Sequence, residues 1–370
     1  MTSRERVILA INHKEPDRVP RFDAFWDETL ALYGYKMKIP AEKVEAYLAE
    51  LFEFDIQLVS LDNSMRFDAY VAEDNDDYMI IEDRCGYKAL RHKGRPTLQF
   101  LEHKNDCYET WLSIKDRFSL DRNGTSRVDI DTFFLRTTTC PAWEEAIRKI
   151  NKIYENGKFT LLNFYGPFEG TWRHHGYENS LMDLVADEDY TREMFDGITN
   201  VTIESIQYAL NLGMKIDGIF MVEDLGSTRT TLMSPAVYRD VISPYHKKLG
   251  DFLKKNGLRF FMHSCGDVSD LIPYFIDVGI EVLQPMQANT TMHVVNLKQK
   301  YGKDITFWGN IDETKIADGR EAIDDEVAHK IVPAMKGGGY IFHSDHSIPP
   351  TVPLENYKYL IHMLDKYAHY

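Results

Sequence analysis

Short apolar stretches alternate along most of the chain with longer segments in which apolar residues recur at helical spacing. The short stretches are rich in β-branched and aromatic residues, which is typical of strands. The pattern therefore predicts a chain that alternates strand and helix. The eight predicted strands are Val19–Phe25, Asp55–Leu61, Thr160–Tyr165, Gly218–Val222, Phe260–His263, Val282–Met286, Thr306–Asn310 and Gly339–His343.

Helix boundary signals between these strands support the alternation. Ser234 and Pro235 have the pattern of an N-cap followed by proline at the first helical position, and Asn256 with Gly257 forms a stop signal. Strands joined in this way are parallel and have right-handed crossovers. Eight of them close most simply into a (β/α)8 TIM barrel, so the predicted fold class is α/β.

One region interrupts the alternation between the second and third strands. Residues 64–142 contain a predicted hairpin over Tyr78–Asp83, Gly86–Arg91 and Thr97–His103, together with a helical stretch. We interpret this region as an insertion that lies over the barrel mouth. The remainder of residues 1–370 is expected to form one barrel.

Composition limits the classes of binding partner and the cellular compartment expected for this chain. Lysine and arginine number 43 against 58 aspartate and glutamate residues, and the net charge of −15 disfavours nucleic acid or an anionic membrane as a partner. Cys85, Cys107, Cys140 and Cys265 are too scattered for a disulfide framework, which favours the cytoplasm. The apolar run at residues 7–11 is too short for a signal peptide or a membrane span.

The working residues of such barrels lie at the carboxyl ends of the strands and in the loops that follow them. Polar groups that can bind a metal or a substrate dominate these places. They are Asp23, Asp62, Tyr165, Glu223, Asp224, His263, Cys265, Gln284, Asn310, Asp312, His343, Asp345 and His346.

The sharpest of these motifs is His263 followed by Cys265. Residues two apart on an extended backbone point to the same side, so an imidazole and a thiolate can bind one ion; the alternative is a buried structural cysteine beside a hydrogen-bonding histidine. His343 and His346 add possible ligands at the same face. Zinc suits such a mixed donor set in a cytosolic protein.

Glu223 and Asp224 follow the fourth predicted strand. Their carboxylates would act as oxygen ligands or fix the imidazoles by hydrogen bonds. The alternative is that they cap the loop before Ser234.

Aromatic residues near the mouth predict a pocket for a flat ligand, although core packing explains part of the set. They are Phe22, Phe25, Trp26, Phe164, Tyr165, Phe168 and Trp172. His174 and His175 point apart on any regular backbone, so we assign His174 to the substrate lining, with a solvated loop as the alternative.

Several segments together resemble the uroporphyrinogen decarboxylase superfamily, whose fold is a (β/α)8 barrel. The resemblance spans nearly the whole chain. It rests on residues 3–7, 13–20, 224–226 before Ser234 and Pro235, 263–267, 308–312 and 338–350.

The superfamily has two competing branches. Its decarboxylases are metal-free and hold a tetrapyrrole with eight carboxylates through arginines of an N-terminal Arg-Gln-Ala-Gly-Arg motif. The corresponding stretch here carries Asp23, Asp27 and Glu28 among aromatic residues, which would repel that substrate.

The other branch comprises zinc-dependent, corrinoid-linked methyltransferases with a His-x-Cys motif and a later third ligand. His263 and Cys265 match the motif, and the third position falls on His346, although the resemblance leaves open whether His343 or His346 turns toward the metal. One thiolate and two imidazoles would leave zinc more positive than two thiolates would, which favours an ether oxygen over a thiol. A carboxylate from Glu223 or Asp224 would erode that difference.

The resemblance therefore implies an O-demethylase component. It would transfer a methyl group from a methoxylated, aromatic small molecule to the cob(I)alamin of a separate corrinoid protein, and it could form a homodimer. Glu223, Asp224 and His343 are the expected catalytic residues, and Gln284, Asn310, Asp62 and Asp23 join the aromatic residues as substrate-binding candidates. The alternatives are methyl transfer from methylcobamide to a thiol, porphyrinogen decarboxylation, and a non-catalytic ligand-binding paralogue.

Overall fold

The computed structural model describes residues 1–95, 97–130 and 138–370. Among these residues are twelve strands, a 3₁₀ turn at Lys115–Arg117 and π-helical turns at Tyr238–Ile242 and Val327–Ile331. The strands are β1 Ile56–Leu61, β2 Tyr70–Asp74, β3 Tyr78–Glu82, β4 Tyr87–His92, β5 Leu98–His103, β6 Val128–Asp129, β7 Phe159–Tyr165, β8 Gly218–Val222, β9 Arg259–Ser264, β10 Val282–Pro285, β11 Thr306–Trp308 and β12 Tyr340–Ile341.

The same residues contain sixteen α-helices, most of which connect consecutive strands. They are α1 Ser3–Ile11, α2 Asp27–Met37, α3 Ala41–Leu51, α4 Tyr108–Ile114, α5 Trp143–Glu155, α6 Pro167–His175, α7 Tyr177–Ala186, α8 Glu188–Asn211, α9 Pro235–Val237, α10 Ser243–Lys255, α11 Ile272–Asp277, α12 Val294–Tyr301, α13 Glu313–Asp318, α14 Arg320–Glu326, α15 Val332–Met335 and α16 Leu354–Tyr367. None of them has the length and apolar composition needed to cross a membrane.

The larger sheet has the strand order β12-β11-β10-β9-β8-β7-β1-β6. Its neighbours from β1 through β12 pair in parallel, and β6 alone pairs antiparallel, at the carboxyl end of β1. Seven of the eight predicted strands are therefore confirmed, as is the α/β barrel fold class. Since parallel strands share one carboxyl edge, the predicted chemistry collects at one end of this sheet.

The segment Val19–Phe25, predicted to be a strand, is not a regular strand. Pro20 has no backbone N–H to donate to a ladder. The segment nevertheless joins the two sides of the sheet, because the N–H of Phe342 donates to Pro20 O at 2.8 Å and the N–H of Asp55 donates to Arg21 O at 2.7 Å. This segment closes the sheet into a barrel.

The barrel interior is filled by aromatic side chains from several strands. Trp308 is fully buried and its ring lies 5.6 Å from Phe22, 5.1 Å from Phe220 and 5.9 Å from Phe261. Such offset and edge-on contacts are the arrangements that aromatic rings prefer. The rigid interior fixes the strand ends that carry the site.

A second sheet lies between β1 and β7 in sequence, with the antiparallel order β2-β3-β4-β5. The predicted hairpin is confirmed as β3, β4 and β5, whereas β2 was not predicted; all five residues of β2 are exposed, so it lacks the apolar alternation of a strand. Residues 96 and 131–137 of the predicted insertion lie outside the described residues. The insertion's bounds and its role over the mouth stay a prediction.

Candidate metal centre and active site

Three metal-capable side chains converge where β8 and β9 end. Nε2 of His263 lies 3.3 Å from Sγ of Cys265 and 3.3 Å from Oδ1 of Asp224. Within the described part of the chain, this is the group of histidine, cysteine and acidic residues whose donor atoms all lie within 4.8 Å of one another. Asp224, predicted as either a ligand or a supporting group, is thus placed with the two motif residues.

The loops that carry these residues are held together tightly. The N–H of Cys265 donates to Oδ1 of Asp224 at 2.8 Å, which ties the two loops at the site itself. Gly226 and Gly266 allow this approach, since a Cβ on Gly226 would lie 2.7 Å from the carbonyl oxygen of Cys265. Gly266 also has a φ of 79°, which favours glycine.

The electrostatics of the cluster favour a positive charge among the three side chains. Burial alone would lower the pKa of His263, but the charges of Cys265 and Asp224 outweigh it and raise that pKa well above its usual value. Burial and the charge of Asp224 raise the pKa of Cys265. Two potential anions around one imidazole form a setting in which a bound cation is stabilised.

The donor set fits zinc. From the usual zinc bond lengths, neighbouring tetrahedral ligands lie about 3.3 to 3.6 Å apart. The sulphur–nitrogen and nitrogen–oxygen separations of 3.3 Å in this cluster agree with that spacing. One sulphur, one nitrogen and one oxygen donor leave a fourth position for a further ligand or for substrate, as catalytic zinc requires.

His346, implied as the third ligand by the resemblance, is not part of this cluster. Its ring stacks on Trp26 with centroids 5.4 Å apart. Burial and then the charge of His263 lower the pKa of His346. A ligand role for His346 stays a prediction.

His343, predicted to be catalytic, is buried behind His263. Its Nε2 lies 3.3 Å from the amide nitrogen of Gln284, and the Oε1 of Gln284 contacts Nδ1 of His263. Burial lowers the pKa of His343 to about 3, so the ring is neutral at pH 7. The structure therefore places Gln284, predicted to bind substrate, between two imidazoles.

Glu223, predicted to be catalytic, points away from the cluster. Its carboxylate is fully buried and accepts from the N–H groups of Phe168 at 3.0 Å and Glu169 at 2.8 Å, in the first turn of α6. It also contacts Nε2 of His246 at 3.0 Å, and Nδ1 of His246 lies 2.9 Å from the hydroxyl of Tyr238. Glu223 thus supports the start of α6, because the first N–H groups of a helix have no partner within the helix.

Asp62, predicted to contact substrate, forms ion pairs with two arginines. Oδ1 accepts from Nε of Arg84 at 2.9 Å and Oδ2 from Nε of Arg66 at 3.3 Å. Burial opposes its ionisation, but the charges of Arg84, Arg127 and Arg66 outweigh it and lower the pKa of Asp62. This ion cluster anchors the loop after β1.

Asn310 and His174, also predicted to bind substrate, satisfy backbone groups. The amide of Asn310 donates to the carbonyls of Met286 at 2.6 Å and Met292 at 2.9 Å, and its oxygen accepts from the N–H of Val294 at 3.0 Å. Nε2 of His174 accepts from the N–H of Met65 at 3.2 Å, while Nδ1 contacts the carbonyl of Gly170. Both side chains therefore fasten loops at the barrel mouth.

Asp23 is buried below the mouth. Its Oδ2 accepts from the hydroxyl of Tyr357 at 3.0 Å, and the hydroxyl of Ser344 donates to Oδ1. Burial raises the pKa of Asp23 to about 7. Phe25 packs beside it, with its ring 5.1 Å from Tyr357.

One arginine offsets part of the negative charge expected of the N-terminal stretch. Nη2 of Arg91 on β4 lies 2.9 Å from Glu28, and Nη1 lies 3.9 Å from Asp27. These carboxylates therefore repel a polyanion less than the sequence suggested, because a cation from the second sheet lies near both.

Sequence reasoning missed Glu169 and Arg173 on α6. Nη2 of Arg173 donates to Oε1 of Glu169 at 2.6 Å, and the guanidinium lies 4.0 Å from the ring centroid of Tyr165. Nε1 of Trp172 donates to Oε2 of Glu169 at 2.7 Å. The available signal was the i, i+4 spacing of a carboxylate and an arginine directly after a strand end.

Glu169 of α6 interacts electrostatically with the metal-capable cluster. Burial raises the pKa of Glu169 to about 7, the charge of Arg173 opposes this, and the charge of Asp224 adds to it. Phe168 is in the core, whereas Trp172 is half-buried, with its ring 5.5 Å from Phe100 of the second sheet. Four of the predicted aromatic residues remain partly accessible, namely Phe22, Phe25, Trp26 and Trp172.

Comparisons with known proteins agree with this architecture. The family model described as uroporphyrinogen decarboxylase (URO-D) matches residues 127–367. A solved structure titled "methyltransferase from Methanosarcina mazei" superposes with a TM-score of 0.66 at 18% identity and covers 99% of both chains. At that identity the superposition shows the fold.

Curated relatives carry two different names. A methylated-thiol–coenzyme M methyltransferase of Methanosarcina mazei is 25% identical over 45% of this chain and 42% of its own length. A uroporphyrinogen decarboxylase of Syntrophotalea carbinolica is 25% identical over 59% of this chain and 62% of its own length. The chain thus aligns with less than two thirds of either relative.

Proposed function

Since this chain belongs to the uroporphyrinogen decarboxylase family, we propose that it is a zinc-dependent methyltransferase that works with a separate corrinoid protein. The methyl donor would be a methoxylated, aromatic small molecule, and the acceptor would be the partner's cob(I)alamin. The observation that carries this proposal is the convergence of Asp224, His263 and Cys265, with donor atoms within 4.8 Å of one another.

The proposed roles follow from the contacts. Asp224, His263 and Cys265 would hold zinc, which when bound supplies a Lewis acid that polarises the oxygen leaving the methyl group. Burial raises the pKa of Glu169 to about 7, so this carboxyl group can hold or release a proton near neutral pH. The hydrogen bonds from Trp172 and Arg173 fix its orientation.

The aromatic side chains at the mouth suit a planar donor. Trp26 is stacked against His346 on one side, and Trp172 lies 5.8 Å from Tyr177 on another. Aromatic contacts of this kind add roughly 0.5 to 1.5 kcal/mol beyond the burial of apolar area. A methoxylated ring would gain this contribution, whereas a small aliphatic donor would not.

A second candidate is methyl transfer from methylcobamide to a thiol. One curated relative is named as a methylated-thiol–coenzyme M methyltransferase, and coenzyme M is a thiol. Asp224 also changes the charge argument, because a thiolate and a carboxylate give a zinc centre of charge 2 − 1 − 1 = 0, equal to that of a centre with two thiolates. The centre is therefore no more electrophilic on charge alone than a thiol-activating one.

A two-way assay separates these candidates. The zinc-loaded protein is supplied with cob(I)alamin and a panel of methoxyarenes, and in parallel with methylcobalamin and a panel of thiols that includes coenzyme M. We expect methylcobalamin to form from a methoxyarene. Efficient thiol methylation would promote the second candidate, and carbon dioxide release from uroporphyrinogen would refute both.

A further inference from the structure

The Gln284 side chain lies between two buried imidazoles. Its Oε1 contacts Nδ1 of His263, and its Nε2 lies 3.3 Å from Nε2 and 3.5 Å from Nδ1 of His343. Gln284 is 4% exposed and His343 is 2% exposed, so neither group is accessible to solvent. The partners of this amide therefore come from the protein.

The chemistry of His343 determines which way the amide faces. Nδ1 of His343 contacts the carbonyl oxygen of Ser344, so this nitrogen carries the proton. Because the ring is neutral, Nε2 has a free lone pair and can only accept. The NH2 group of Gln284 must then face His343, which turns its carbonyl oxygen toward His263.

The amide orientation in turn fixes the tautomer of His263. A carbonyl oxygen at Nδ1 requires that Nδ1 carry a proton, so Nε2, which lies 3.3 Å from both Cys265 and Asp224, is the nitrogen that binds a metal once the ion displaces its proton. With the amide reversed, NH2 would face Nδ1 and the proton would move to Nε2. An imidazole protonated at Nε2 cannot bind a metal through that atom.

We propose that Gln284 and His343 are positioning residues that set the metal-binding tautomer of His263. His343 acts through Gln284, and neither residue binds the metal or touches the reacting atoms. Phe22 and Trp308 hold the His343 ring in place, with centroids 5.9 Å and 5.6 Å away. The inference rests on the metal centre of the proposed function but not on the identity of the methyl donor.

A double-mutant cycle on zinc affinity tests the inference. Both oxygens of a glutamate at position 284 can accept, so Gln284→Glu supports the same His263 tautomer without help from His343. We expect His343→Leu to weaken zinc binding about 10- to 100-fold, the usual effect of losing such a supporting contact. In the Gln284→Glu background, the same change should cost much less.

Affinity is measured by competition with a chelator, and the cobalt-substituted proteins are compared by visible absorption. Gln284→Leu should lose affinity like His343→Leu, while the matched control is Gln207→Leu on α8, where the amide donates to Oδ1 of Asn211 at 3.0 Å. Thermal denaturation of the metal-free variants identifies any folding defect. If His343→Leu does not fold, the zinc affinities of Gln284→Leu and Gln284→Glu are compared instead.

An equal loss from His343→Leu in both backgrounds would overturn the inference, since His343 would then act independently of Gln284. A cobalt absorption spectrum that differs between Gln284→Glu and the double variant would also overturn the inference, because it would identify His343 as a ligand. If the variants bind zinc as tightly as the wild type, only the positioning role fails. A wild type that binds no zinc would refute the proposed function as well.

Discussion

At the level of single residues, the proposed metal centre depends on the thiolate of Cys265. The exposed Cys107 offers a matched control. We expect Cys265→Ser to reduce bound zinc far below one ion per chain, because a hydroxyl is a much weaker ligand than a thiolate. Cys107 is exposed and its Sγ lies 3.3 Å from Oγ1 of Thr110, so Cys107→Ser should retain the metal. Metal analysis of the purified variants measures both, and equal zinc in the two would refute the centre.

The same scale includes a buried acid whose titration should affect stability. Burial raises the pKa of Asp23 to about 7, whereas an unfolded aspartate titrates near 3.9. The folded state therefore holds the Asp23 proton more tightly than the unfolded state does. The free energy of unfolding is highest at low pH and falls as the pH rises from the unfolded pKa to the folded pKa. The loss is roughly 1.4 kcal/mol per pH unit between these values, on the order of 4 kcal/mol in total.

Asp23→Asn removes this titration while keeping the side-chain shape. Urea unfolding between pH 5 and pH 8 should show the wild type losing stability relative to the variant as the pH rises. Parallel stability curves for the two proteins would mean that Asp23 ionises normally in the folded state.

At the level of elements, the site requires two loops in close contact. A methyl group on Gly226 would lie 2.7 Å from the carbonyl oxygen of Cys265 and 2.8 Å from the nitrogen of Asp267, so Gly226→Ala must push the loops after β8 and β9 apart. We expect a weaker zinc affinity as Asp224 and Cys265 separate. Gly213 has a φ of 92° and open space around an added Cβ, so Gly213→Ala is a control that carries backbone strain without a steric clash. Equal zinc affinity in the two variants would contradict this account.

Glu223 provides a second prediction at this scale. Glu223→Ala would leave the buried N–H groups of Phe168 and Glu169 without their acceptor, which costs about 1 to 3 kcal/mol for each group. Chemical denaturation should show this loss in metal-free protein. If Glu223 were instead catalytic, the variant would lose activity at unchanged stability.

The elements also show what the sequence could and could not predict. Seven barrel strands were readable because both of their faces are buried, which produces continuous apolar runs. Val19–Phe25 has the same apolar character, yet Pro20 removes a donor and reduces the segment to isolated bridges. β2 escaped prediction because its solvated residues carry no period-two pattern.

The candidate site was predictable in part for a related reason. His263 and Cys265 are two apart on one strand end, so their proximity follows from local geometry. Asp224 joins them from a neighbouring strand, which depends on the register of β8 against β9. The roles of Asp62, Asn310 and His174 were beyond sequence reasoning, since each has a hydrogen-bond partner far along the chain, namely Arg84, Val294 and Met65 respectively.

At the level of the whole molecule, a closed barrel brings donors from separate strands to one end, while Arg91 and Phe100 of the second sheet contact Glu28 and Trp172. The family relation allows either methyl transfer or decarboxylation. The metal-capable cluster favours the former.

The most direct test of the central claim follows the conversion of cob(I)alamin to methylcobalamin by absorbance, with a methoxyarene as donor. We predict that zinc-loaded wild type carries out this conversion, that His263→Ala falls to the uncatalysed rate, and that Cys107→Ser matches the wild type. Conversion by His263→Ala at the wild-type rate, or no conversion from any methylated donor, would contradict a zinc-dependent methyltransferase.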